Sequence, residues 1–526
     1  MVFEPEERLG EELSMFSSVL SAAIMGVECF PVRVEADVSD GLPMFNMVGY
    51  LTSQVREAQD RVKTAMRNMG IALPPKRVTI NLSPGDLRKD GPAFDLPIAA
   101  AILTALGYLE EVMVKDVLIV GELSLDGTVH PVSGILAMVD KAKELGCRAC
   151  VLPKENWREG NIIQGIPVAG VSTLKETIEM LRSGDFERFQ RENPVGEVFY
   201  REPEYSLDFD EIQGQEAVKR AAVVAAAGFH NLLMIGPPGA GKTMVARRLP
   251  TIMPLPSLEE CIEISRIYSI AGLLPADSPL MVTRPFRAPH HTLSPQALAG
   301  GGRIPRPGEI TLAHRGILFL DELTEFSRVS LEILRQPLED RQILIARAMG
   351  SFCFPANCMV VAAMNPCGCG YFPDMNRCTC RPGDISKYLR KISGPLLDRM
   401  DICVEAGAVK YQDIASKRKK GPSSADLRKE ITRVHKTQED RFRGTEIRFN
   451  SQIPGSELET FCPVEKQGRE LLEKAYKKMN FSIRGYHRIL KTARTIADLE
   501  GEEILLKRHI GEAICYRKAD KKYWNI

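Results

Sequence analysis

A multidomain α/β chain is what this sequence predicts: an α/β first domain, a phosphate-binding domain on a parallel sheet, and a helical third domain. Three observations carry the expectation. The chain has 526 residues, and at roughly 150 residues per hydrophobic core that divides into about three units. Around residues 232–243 an apolar strand runs into a glycine-rich loop and then a helix, an order suited to wrapping phosphate oxygens. Beyond residue 409 long charged segments with helical periodicity take over.

In chain order, residues 1–10 are acidic and lack the basic start of a targeting signal. From 23 to 184, strands such as 31–38 and 78–82 mix with amphipathic segments such as 53–69, so 1–190 reads as one α/β domain. The longest apolar stretch, 96–109, is short of the roughly 20 residues that span a bilayer and suits a buried helix. Residues 191–208, rich in Glu, Pro and Arg, read as a linker. The second domain, 209–409, opens with a helix at 217–228, a strand at 232–235 and a helix from Lys242. The third, 410–526, holds helices at 425–438, 464–479 and 485–499. No internal repeat of solenoid period is present. With 69 basic and 68 acidic residues, net charge +1, no global field favours nucleic acid or membrane, so any such site must be local. Thirteen cysteines without a secretory signal read as reduced thiols or metal ligands, and the expected location is the cytoplasm.

Gly236, Pro237, Pro238, Gly239, Ala240, Gly241, Lys242 and Thr243 match the Walker A pattern, whose glycines let backbone amides approach phosphate unobstructed. The expected ligand is ATP with Mg²⁺: Lys242 neutralises the β/γ-phosphates and the Thr243 hydroxyl meets the metal. The apolar run 317–320 ends in Asp321 and Glu322, a buried strand delivering one acid to Mg²⁺ and one to the attacking water. Strand 359–364 ends at Asn365, whose amide suits holding that water; an ordinary turn Asn before Pro366 is the alternative. Arg399 offers a guanidinium for transferred phosphoryl charge, with a surface salt bridge as the competing reading.

Walker A, the segment 284–322, GPLLDRMDI at 394–402, GLPMFNMVG at 41–49 and SIRGYHRILKTARTIADL at 482–499 together resemble the magnesium-chelatase-like branch of AAA+ ATPases, and within it the ComM/YifB family. The resemblance runs from about Phe16 to Asp498. It implies an AAA+ domain at 209–409, a C-terminal helical lid, Asn365 as sensor 1, Arg399 as an arginine finger acting on a neighbouring subunit, and Arg484 as sensor 2 with Arg488 competing for that role. A finger supplied in trans implies a homo-hexameric ring. Family members look like DNA motors acting in branch migration during recombination and natural transformation, which implies helicase activity on branched or single-stranded DNA. A magnesium-chelatase-like remodelling chaperone and an ATP-dependent protease are the alternatives. From the residues themselves, a hairpin at 342–355 and the arginines Arg287, Arg303 and Arg306 in a Gly/Pro-rich insertion are candidates for phosphate contact, or simply solvated loops.

Residues 90–95, 121–123 and 152–154 resemble the proteolytic domain of Lon, a ribosomal S5 domain 2-like fold, which implies a Ser-Lys hydrolase. Ala93 stands at the serine position and Leu136 at the lysine position. Neither a methyl nor an isobutyl group can attack a carbonyl or take a proton, so the domain reads as non-catalytic. Cys367, Cys369, Cys378 and Cys380 form two C-x-C pairs just past the sensor strand, a set able to surround a tetrahedral structural Zn²⁺ or to be free thiols in a loop. Cys147 and Cys150 read as core packing. His290 and His291 lack acidic or thiol partners nearby in the sequence and are assigned no metal.

Overall fold

The computed structural model describes residues 15–189, 199, 205–275, 278–302, 305–347, 350–407, 421–479 and 481–524. The acidic start at 1–10, most of the 191–208 linker, and Arg303 lie outside the described residues. The chain divides into two compact units, Met1–Glu202 with Cys261–Val282, and Pro203–Glu260 with Thr283–Ile526.

In the first unit a seven-stranded sheet runs in the order Met44–Val48, Arg77–Ser83, Glu28–Ser39, Phe16–Met25, Val117–Ile119, Ala149–Pro153, Val168–Val171. Strand Glu28–Ser39 buries Val32, Val34, Ala36 and Val38 on one face, the period of two that its alternating sequence dictates. The apolar run folds as helix Asp95–Ala105, buried along its whole length. The amphipathic segment 53–69 folds as two helices, Ser53–Arg56 and Ala58–Asn68, which bury Val55, Ala58, Val62, Ala65 and Met66. Residues 261–282, far away in sequence, pack into this unit. The Ser269 carbonyl accepts from Gly134 N at 3.1 Å, the Ser269 hydroxyl bonds the Glu159 carboxylate, and Arg266 pairs with Asp140 at 3.1 Å. Burial holds the Glu159 carboxyl above its ordinary range, against the hydrogen bonds from Ser269 and Leu136.

The second unit is built on a five-stranded parallel sheet in the order Phe286–Arg287, Ile317–Leu320, Met359–Met364, Leu232–Ile235, Ile402–Glu405. Leu232 to Ile235, Ile317 to Leu320 and Met359 to Met364 are buried residue by residue, the continuous apolar runs that a sheet covered on both faces requires. Because the strands are parallel, their carboxyl ends share one edge, and Gly236, Asp321 and Asn365 follow directly on three adjacent strands there. The C-terminal helices Ser424–Arg441, Ile483–Glu500 and Lys507–Cys515 bury Ile431, Val434, Ile489, Ile496 and Ile510 in the same hydrophobic core as Leu232, Phe319 and Val361. Among the described residues no helix is long and apolar enough to cross a membrane.

Candidate functional site

The glycine loop leaves its strand under tight constraint. A Cβ on Gly236 would lie 2.2 Å from the Ala406 carbonyl oxygen, so only glycine passes beside the neighbouring strand. Gly239 and Gly241 hold φ of 76° and 82°, in the left-handed region where a side chain is strained. Gly241 caps helix Lys242–Ile252, whose first amides and positive dipole end face the loop. Gln215 Nε2 donates to the Ala240 carbonyl at 2.8 Å and steadies the loop from outside.

Five of the sequence-assigned residues converge here. Lys242 Nζ donates to the carbonyls of Gly236 at 2.7 Å and Pro237 at 3.0 Å, and to Asn365 Oδ1 at 3.1 Å. Burial lowers the Lys242 pKa, partly offset by the Asp321 charge, so the ammonium stands where an arriving polyphosphate gains most from it. Thr243 Oγ1 donates to Asp321 Oδ2 at 2.8 Å. That pair of hard oxygens fits Mg²⁺, which takes one or two protein oxygens and fills its octahedron with water and phosphate. Glu322 sits in left-handed backbone at φ 50°, a strained conformation of the kind that clusters at reacting sites, and its N–H donates to Asp321 Oδ1 at 3.0 Å.

His291 corrects an expectation. Its Nδ1 stands 3.3 Å from Glu322 Oε2, so it does have an acidic neighbour. The sequence hid this because the strand of residues 286–287 pairs in parallel with the Glu322 strand, and only that pairing brings the following loop alongside. Its ring lies tilted by 33° against that of His290, 4.1 Å between centroids.

Arg399 and Arg484 gather elsewhere. Arg399 Nη2 and Arg484 Nη2 both donate to the Glu339 carboxylate, Arg484 at 3.2 Å. The Arg399 side chain is only 8% exposed, so its pairing is not the surface salt bridge that spacing allowed. Burial raises the Glu339 pKa, but Arg399 and then Arg484 and Arg488 pull it below the ordinary carboxylate value. Arg488, the competing sensor residue, pairs with buried Asp401 at 2.6 Å. Although burial opposes it, Arg488 and His230 hold the Asp401 carboxyl well below the usual range. These groups line one pocket of about 370 Å³ together with Arg341 and Lys491. Among the described residues, neither Arg399 nor Arg484 hydrogen-bonds the 236–243 loop.

The four cysteines do come together. Their sulfurs all lie within 4.8 Å of one another, with Cys367–Cys369 at 3.3 Å, Cys369–Cys378 at 3.5 Å and Cys367–Cys378 at 3.8 Å. Tetrahedral Zn²⁺ at Zn–S of about 2.3 Å sets sulfurs about 3.8 Å apart, so the residues fit the metal. Backbone N–H groups of Phe372 and Cys369 point at Cys367 and Cys380 sulfur, each at 3.4 Å. The cysteine loop touches the glycine loop: a Cβ on Gly370, at φ 85°, would lie 2.5 Å from Pro238 Cδ. In the first unit Ala93 and Leu136 are buried, and the Leu136 N–H is held by Glu159 Oε1 at 3.1 Å.

Two antiparallel ribbons stand apart from the main sheet's hydrogen-bonded order, Gln342–Arg347 with Gly350–Pro355, and Gly300–Gly301 with Arg306–Pro307. Arg347 and Arg306 are exposed, whereas Arg287 is gripped by both Glu309 oxygens at 2.7 Å.

Family models for the magnesium chelatase subunit ChlI match residues 208–414, its ChlI portion residues 34–156 and its C-terminal portion residues 421–517. The chain is 39% identical to competence protein ComM of Haemophilus influenzae, covering 95% of this chain and 97% of that one. It is 38% identical to YifB of Salmonella typhimurium, covering 96% and 97%. Lon protease 2 of Bacillus subtilis is 30% identical over 128 residues, 24% of this chain and 23% of that protein.

Proposed function

Because the chain belongs to the ComM/YifB family of magnesium-chelatase-like AAA+ ATPases, we propose that it is a hexameric, ATP-driven DNA motor promoting branch migration in the cytoplasm. One relative is named a competence protein, and we carry natural transformation, with recombination, over to this chain as the process served. Lys242 turns from the Gly236 and Pro237 carbonyls to the β/γ-phosphates when ATP enters. Thr243 and Asp321 would hold Mg²⁺, which would supply charge to neutralise phosphate oxygens. Glu322, steadied by His291, takes up the attacking water, and Asn365 fixes that water's position. Arg399 and Arg484 belong to the site of the next copy in the ring, a division supported by their grouping away from the loop of their own chain. We retain 1–190 as a non-peptidase assembly domain, 191–208 as its linker, 209–409 as the motor and 410–526 as its lid. A structural zinc on Cys367, Cys369, Cys378 and Cys380 completes the reading.

The observation that carries the DNA assignment is the pair of ribbons. Arg347 reaches Gly302 O at 3.4 Å, tying them into one surface that presents Arg306 and Arg347 to solvent, a chemistry that tracks phosphate backbone. The test is ATP turnover with forked, four-way and single-stranded DNA. The reading expects severalfold stimulation that weakens with salt and is lost in the Arg306→Ala, Arg347→Ala double variant. Turnover indifferent to every DNA would favour a remodelling chaperone of the magnesium-chelatase kind.

A further inference from the structure

Glu339 occupies an unusual position. It lies on the short helical turn Pro337–Asp340, and each carboxylate oxygen accepts from a different arginine, Oε2 from Arg399 and Oε1 from Arg484. Around it the pocket carries five cationic side chains, Arg341, Arg399, Arg484, Arg488 and Lys491, against two carboxylates, Glu339 and Asp401. The two acids are not equivalent. Asp401 is 8% exposed, accepts from Asn231 N at 2.9 Å and Arg488 at 2.6 Å, and is fixed in place. Glu339 is 47% exposed and free to swing out.

We propose that Glu339 is a placeholder for the terminal phosphate of a neighbouring copy's ATP. This rests on the shared-site reading above and adds what the two arginines do before the neighbour arrives. Arginine prefers planar, two-oxygen acceptors, and carboxylate and phosphate compete for the same fork. One carboxylate spans both guanidiniums, so its departure releases both from that anion in a single step, while Arg399 Nη1 stays aimed by its 2.9 Å bond to the Pro395 carbonyl. The Arg399 Nε, buried with no acceptor of its own, adds a donor that the incoming phosphate can satisfy. Outside the ring the latch gives both cations one shared counter-charge. At ring closure the exchange of one anion for another leaves no charge buried alone.

The test is ATP turnover against protein concentration for the full chain, with wild type, Glu339→Gln and Glu339→Asp. Glu339→Gln keeps the shape and removes the competing charge, so half-maximal turnover should come at a three- to tenfold lower protein concentration, with the gap narrowing as salt rises. Glu339→Asp, one methylene shorter, cannot reach both arginines and should fall between the two; it carries the same test should the Gln variant melt early. An unchanged or raised half-maximal concentration overturns the placeholder. Mixing Arg399→Ala with Lys242→Ala chains separates the two ideas. Recovered turnover in the mixture with no shift in Glu339→Gln sinks the placeholder alone, whereas no recovery sinks shared sites and the placeholder with them.

Discussion

Gly370→Ala isolates the contact between the cysteine loop and the ATP loop. Gly370 holds φ 85°, and alanine in left-handed backbone is destabilised by about 1–2 kcal/mol. The added Cβ would lie 2.5 Å from Pro238 Cδ, where carbon atoms in good contact sit about 3.5–4.0 Å apart. Pro238 must therefore retreat by about 1 Å, and it carries the amides around Gly239 with it. A shift of that size at a phosphate-positioning element is worth on the order of a hundredfold in rate. The backbone strain lowers the melting temperature by only a few degrees. Steady-state ATP turnover and thermal melting of the same preparation read the two effects. Turnover within twofold of wild type would refute the idea that the cysteine loop sets the phosphate loop.

Four further outcomes are expected. Glu322→Gln should bind ATP with unchanged affinity and lose at least a hundredfold in turnover, checked by nucleotide titration beside single-turnover hydrolysis. His291→Ala removes the imidazole that stands 3.3 Å from Glu322 and should reduce turnover about three- to tenfold, the equivalent of about 1 kcal/mol. Metal analysis should find one zinc per chain, and less in Cys369→Ser, with melting lowered by a strong chelator. Partly buried His435, pushed down to about 4 chiefly by desolvation and then by Arg284, is neutral in the fold while the unfolded chain binds its proton near 6.5. Stability therefore falls as pH drops from about 6.5 towards 4, by on the order of 3 kcal/mol in full. Melting curves of His435→Gln across that range should show a shallower loss.

The sheet was legible because buried parallel strands are written as unbroken apolar runs, and 232–235 and 359–364 begin and end where their sequences suggest. The glycine loop was legible because its pattern is local, eight consecutive residues that run from the end of a strand into the first turn of a helix. What escaped depends on contacts between distant residues. Glu339 meets Arg399 and Arg484 only through the fold, and no spacing rule links them. The same holds for His291 beside Glu322 and for Gly370 against Pro238. Residues 261–282 belong in contacts to the first unit although they follow the phosphate loop in sequence, and nothing in their composition signals it. The amphipathic pattern at 53–69 did not mark the break between its two helices, since such spacing survives a one-residue interruption at Glu57.

Strand displacement from a labelled four-way junction tests the motor claim most directly. With ATP, wild type should separate the junction's arms into product duplexes, and Glu322→Gln, holding ATP without hydrolysing it, should leave the junction bound and intact. An intact junction with wild type under conditions where ATP is turned over would contradict the account.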